Sequence, residues 1–217
     1  ELWGAAGVGL ACAAVWLCLD GSGYRELELR LRVRKGGAEA EETEEIVRVR
    51  PGFGDSFDLT AHTGLVALPE ELRACAARVR RLEVRSERLE ELPTWLEALT
   101  KLRTLCLLHC SGLTALPAGI GALTNLRNLH LVDCSGLTAL PDEIEALTGL
   151  ETLSLDYCSG LKALPDVIGV FTVLRELNLA GCSGLTALPA GLGGAQAPGG
   201  AESEQMLRAD GAAGRAR

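Results

Sequence analysis

Six prolines, Pro69, Pro93, Pro117, Pro141, Pro165 and Pro189, recur every 24 residues, and this period constrains the fold more than any other feature. Each follows a leucine (Leu68, Leu92, Leu116, Leu140, Leu164, Leu188), and a second leucine stands three residues further back, at 65, 89, 113, 137, 161 and 185. Self-similarity at a short fixed period is the mark of stacked repeats, in which no single unit buries its own apolar face.

The unit from Leu113 to Gly136 shows the columns in full. Apolar residues fall at Leu113, Leu116, Ile120, Leu123, Leu126, Leu129 and Leu131, and Cys134, Ser135 and Gly136 close the unit. Units beginning at Leu89, Leu137 and Leu161 repeat it, with Phe171 for Leu in the last. Leu129 and Leu131 alternate as a half-buried strand does. From Pro117 to Leu126 the apolar residues are spaced by three and four, which predicts a short helix with proline in its first turn. One strand and one short helix per 24 residues, wound in parallel, form a coil whose inward leucines fuse with those of the next coil. Six parallel strands are expected, centred near 57–59, 82–84, 105–107, 129–131, 153–155 and 177–179.

The Leu-Pro step, the Leu-x-Leu strand and the Cys-Ser-Gly-Leu corner resemble the leucine-rich repeats of plant disease-resistance proteins and of the related Ras-suppressor-like intracellular group. The likeness runs from residue 57 to about 192. It implies an α/β leucine-rich-repeat solenoid, a horseshoe with a parallel concave β-sheet and short convex helices. For function it implies protein recognition and signalling. No Gly-Lys-Ser/Thr follows Gly4, Gly7 and Gly9, so the phosphate loop of the nucleotide-binding domain that accompanies disease-resistance repeats is not in this sequence.

The pattern bends at both ends. The first full unit lacks Cys-Ser-Gly and carries a shorter, charged corner from Arg85 to Arg88, while Phe57, Leu59, His62 and Gly64 read as a half-repeat supplying the first strand. Upstream, Leu27, Leu29, Leu31 and Val33 alternate with Glu28, Arg30 and Arg32, and 46–49 reads as a returning strand. This hairpin is either a cap on the solenoid or the remnant of a preceding domain. The expected organisation is an apolar segment at 1–20, a hairpin-like region at 21–54, the repeats at 55–192 and a disordered Gly/Ala-rich tail at 193–217.

Residues 2–19 carry no charge, long enough at the limit to span a membrane. Against that stand a truncated signal-peptide core, a buried helix of a lost domain or a mispredicted exon. A spanning segment would leave Arg25, Arg30, Arg32, Arg34 and Lys35 on the cytoplasmic side. The absent initiator Met and the fading sixth unit read as a truncated chain.

Chemistry finds little support. Cys110, Cys134, Cys158 and Cys182 sit 24 apart with no Cys-x-x-Cys spacing, so they are read as small buried corner residues bonding backbone rather than a metal or redox array. Cys106, on the outward strand face, is expected to be reactive. His62, His109 and His130 have no evident catalytic partner. No catalytic residue, metal or cofactor is expected. The thiols and the lack of any Asn-x-Ser/Thr site favour a reducing compartment, the cytoplasm, with the chain free or held by residues 2–19.

The surface remains. Outward strand residues form the columns Thr104, Asn128, Thr152, Glu176; Cys106, His130, Ser154, Asn178; and Leu108, Val132, Asp156, Ala180, with His109, Asp133 and Tyr157 beside them. These vary while the leucines do not, as a surface tuned to an irregular partner would. The formal charge of −8 argues against nucleic acid, and eight acidic against three basic residues over 113–192 favour a partner with basic character. The chain is thus expected to be a monomeric, non-catalytic module that binds a protein or peptide, in signalling or defence-type recognition. The alternatives are the recognition arm of a membrane-anchored receptor and the substrate-binding fragment of a larger enzyme such as a ubiquitin ligase or kinase.

Overall fold

A computed structural model describes residues 17–19, 25–34, 42–49 and 56–187. Two sheets form among them. The larger has six parallel strands in sequence order: β4 (Ser56–Leu59), β5 (Arg81–Arg85), β6 (Thr104–Leu108), β7 (Asn128–Val132), β8 (Thr152–Ser154) and β9 (Glu176–Asn178). From β6 onward the register steps by one 24-residue repeat, as in Leu105↔Leu129, Leu129↔Leu153 and Leu153↔Leu177. The period of the sequence is the period of the ladder, and this is a leucine-rich-repeat solenoid with its parallel sheet on one side.

The chain returns to the next strand through short helical turns, and their type differs from expectation. Thr94–Ala98, Ala118–Ala122, Asp142–Ala146 and Asp166–Val170 are 3-10 turns. Each is preceded by an extended proline, such as Pro117 at φ −69° and ψ 149°, outside the helix rather than in its first turn. The reason lies in the spacing. Amide-to-carbonyl bonds run from Ile120 to Pro117, Leu123 to Ile120 and Leu126 to Leu123, three residues at a time. A step of three is the 3-10 period, whereas an α-helix of this length would turn one of those leucines toward water. Only α1 (Glu71–Ala74), in the first coil, is α-helical among the described residues.

Leucines and isoleucines fill one continuous core from Phe57 to Leu179, with Leu105, Leu129, Ile120 and Leu153 fully buried. The corners hold the coils together. The thiol of Cys158 donates to the Leu131 carbonyl at 3.0 Å and that of Cys182 to the Leu155 carbonyl at 2.9 Å, each reaching one coil back. Cys134 reaches the Leu107 carbonyl at 3.6 Å. Ser86 takes this slot in the first full coil: its hydroxyl donates to the Thr63 and Leu65 carbonyls and accepts from the Arg88 amide. The glycine two residues after each cysteine is needed because the neighbouring corner runs across its Cα. A Cβ on Gly136, Gly160 or Gly184 would overlap the carbonyl oxygen of Ser111, Ser135 or Ser159.

The smaller sheet is antiparallel: β1 (Leu17–Leu19), β2 (Arg25–Arg34) and β3 (Glu42–Val49), with β2 between the others. Leu29, Leu31 and Val33 of β2 are buried in the same core as the repeats. Val33 bridges Leu65 in antiparallel sense, the Arg34 amide donates to the Gly64 carbonyl, and the Val66 amide donates to that of Arg32. The hairpin therefore lies where the corner of a preceding coil would lie. Of the apolar segment, only 17–19 is described, as β1; the expected anchor otherwise lies outside the described residues, as does the tail from 193. Among the described residues no helix is long and apolar enough to cross a membrane.

Candidate protein-interaction surface

Leucines point inward at alternate strand positions, so the residues between them face outward on the concave sheet. Register places Glu83, Cys106 and His130 side by side, followed by Ser154 and Asn178. The first column, Thr104, Asn128 and Thr152, is half-buried, and Glu176 is exposed. His130, Asn178, Leu108, Val132 and Asp156 are half-buried. Asn178 donates to the Glu176 carboxylate at 2.9 Å, so these two present a joined polar pair.

Two expected contact residues are not open surface. Cys106 is 7% exposed and Ser154 4%. Strands in a sheet stand about 4.8 Å apart, so a short side chain between longer neighbours is screened by them. Burial pushes the Cys106 thiol up to about 11, with the Glu83 carboxylate adding to the effect, so the expected reactivity is overturned. The Ser154 hydroxyl donates to the Asp156 carboxylate at 2.6 Å and orients it instead of meeting a partner. His130 is held below its ordinary value, chiefly by burial.

At the rim where the strands end, His109, Asp133 and Tyr157 all have left-handed backbones, with φ of 52°, 55° and 61°, and Gly181 follows at 72°. Left-handed geometry costs a non-glycine residue about 1–2 kcal/mol. Here it turns the chain so that the next residue, the corner cysteine, points inward. The amides of His109, Asp133 and Tyr157 still donate to Val132, Asp156 and Ala180 of the following coil at 2.7–2.8 Å. The side chains are left on the rim. The His109 ring nitrogen Nδ1 lies 2.8 Å from the Asp133 carboxylate. Tyr157 is 62% exposed, and its ring passes so close to Gly181 that a Cβ there would be 2.6 Å from Cδ1.

The opposite rim, where the chain enters the strands, was not singled out from the sequence. Arg103, Arg127, Glu151 and Arg175 bond backbone to backbone in a column that begins at Arg80, each amide donating to the preceding carbonyl at 2.7–2.8 Å. The side chains of Arg103, Arg127 and Arg175 are exposed and that of Glu151 is half-buried. The signal was present in the same 24-residue spacing that exposed the leucines.

The 24-residue period, the parallel ladder in that register and the aliphatic core together define the class: the chain is a leucine-rich-repeat protein. No protein-family model and no curated protein matches it. Solved structures similar to it include the leucine-rich-repeat domain of the type III effector XopL, at 29% identity and TM-score 0.46 over 52% of this chain and 38% of that one. A leucine-rich-repeat protein of Leptospira interrogans matches at 29% identity and TM-score 0.38, over 56% of this chain and 36% of that one. The leucine-rich-repeat ectodomain of the receptor kinase SOBIR1 from Arabidopsis thaliana matches at 17% identity and TM-score 0.45, over 75% and 84%. The chain thus spans less than two fifths of the first two.

Proposed function

We propose that this chain is a non-catalytic module that binds a protein or peptide partner through the concave sheet and its strand-end rim. Tyr157 carries the reading. It is a large aromatic left 62% exposed on a left-handed backbone, with its ring braced against Gly181. Aromatic side chains with few rotatable bonds are typical anchors of binding energy. On neighbouring positions, Asp156 is oriented by Ser154 and Asp133 by His109, so two fixed carboxylates share the rim with the ring. A partner bearing an apolar pocket next to basic groups fits this rim.

The resemblance to disease-resistance and Ras-suppressor-like repeats supports a place in signalling or defence-type recognition, in the cytoplasm. Six strands about 4.8 Å apart give a sheet roughly 24 Å long, less area than the ~800 Å² per partner of a standard interface. These six strands alone therefore suit a short segment or a weak affinity, and flanking repeats would extend the surface. The test is a titration against peptides selected from a displayed library on the wild-type chain. Tyr157→Ala and Asp156→Lys should each weaken binding about tenfold or more, and Ala118→Lys on the convex side should leave it unchanged. A larger loss from the convex change would move the binding surface elsewhere.

A further inference from the structure

The entering rim has a charge opposite to that of the protein. The whole chain is acidic, at −8. Yet the column that leads into the strands reads Arg80, Arg103, Arg127, Glu151, Arg175 in backbone register, with Lys101 exposed two residues before Arg103. Glu151, the one acidic member, is held by its neighbours: Arg127 reaches it at 2.5 Å and Arg175 at 3.9 Å. Arg103 and Lys101 form no ion pair among the described residues. From Arg103 to the His109 rim is about 20 Å of extended chain. Around β6 and β7 the sheet is thus polarised across its width, basic at Lys101, Arg103 and Arg127 where strands begin and acidic at Asp133 and Asp156 where they end.

We infer that the entering rim binds an acidic protein segment, whose carboxylates run along the coil axis over Arg103 and Arg127. This rests on the reading that the strand face is the binding face, and it adds the chemistry of the partner's second flank. Guanidinium groups at strand spacing, about 4.8 Å, suit carboxylates bidentately. Alternate residues of an extended segment are about 6.8 Å apart, a mismatch that long arginine side chains absorb. Nucleic acid fits less well. The basic column is one residue wide, and the exposed aromatic Tyr157 stands on the far rim, too distant to stack bases over the arginines.

The experiment is a fluorescence-anisotropy titration of the full chain with labelled octa-glutamate, octa-lysine and oligo-uridine. Octa-glutamate should bind, lose affinity as salt rises from about 50 to about 300 mM, and weaken about tenfold in Arg103→Glu/Arg127→Glu. The neutral Arg103→Gln/Arg127→Gln should fall between, and Ala118→Lys should have no effect. No binding of octa-glutamate, binding unchanged by the double charge reversal, tighter binding of oligo-uridine, or octa-lysine binding that weakens in the double charge reversal would each overturn the inference. None of these would touch the Tyr157 rim, whose own test uses different variants and different peptides.

Discussion

The thiol of Cys158 and the carbonyl of Leu131 are 3.0 Å apart across two coils, and the same link joins Cys182 to Leu155. A thiol is a weak donor, but this one is fully buried, and the carbonyl it serves is shut away from water. Hydrogen bonding to Cys110 and Cys158 raises Cys134, and burial adds to the rise.

Replacement at this slot should follow hydrogen-bonding capacity. Cys158→Ala removes the donor and leaves a small void, and is expected to cost about 1–3 kcal/mol in urea unfolding. Cys158→Ser, which copies what Ser86 does in the first full coil, should cost less. In native alkylation followed by mass spectrometry, half-buried Cys75 and Cys182 should label before buried Cys106, Cys110, Cys134 and Cys158. Labelling of Cys106 at the rate of Cys75 would contradict its burial.

Two glycines 13 residues apart, one at a corner and one on the approach to a strand, should respond in opposite ways. At Gly136 a Cβ meets the Ser111 carbonyl, which is backbone and cannot swing aside. Gly136→Ala should destabilise by roughly 2–4 kcal/mol, within the range of overpacked sites. At Gly149 the nearest atom to a Cβ is 3.8 Å away. Gly149→Ala should be neutral or stabilise by up to about 1 kcal/mol through the unfolded chain. Equal effects in parallel urea titrations would mean the corners do not stack this tightly.

His130 gives the fold a pH dependence of known sign. Burial lowers its affinity for protons below that of the unfolded chain, so near and below pH 6.5 the unfolded state binds more protons. Its contribution to stability is therefore complete above about 6.5 and is lost as pH falls toward the lowered folded value. Thermal midpoints should decline over that window in the wild type and decline less in His130→Gln. Identical slopes for both would show that the imidazole titrates as it does in water.

The strands and the corner cysteines were legible because their positions are fixed by a repeating inside, where one column position has one environment. Tyr157 was legible as an aromatic in a column of smaller residues. The burial of Cys106 and Ser154 was not, because alternation tells which way a side chain points and not how tall its neighbours are. The convex turns could have been read from the three-residue steps Pro117, Ile120, Leu123 and Leu126, which suit a 3-10 turn better than an α-helix. The arginine rim escaped because its column lies one residue before the outward strand positions. Whether 25–49 caps or departs from the repeats depends on Val33 meeting Leu65, a contact that no local pattern encodes.

That contact gives the array a direction. Between β6 and β9 every coil meets its neighbours in the same register, so a duplicated 24-residue block, for instance one inserted after Gly160, would find ready-made neighbours on both sides. Next to the hairpin it would not. The Arg34 amide and the Arg32 carbonyl already occupy Gly64 and Val66, and they approach antiparallel to the chain they meet. A repeat inserted there would have to displace Leu29, Leu31 and Val33 from the core before it could stack. Gain and loss of whole repeats, the way such arrays change length, is thereby favoured on the side of β6 away from the hairpin.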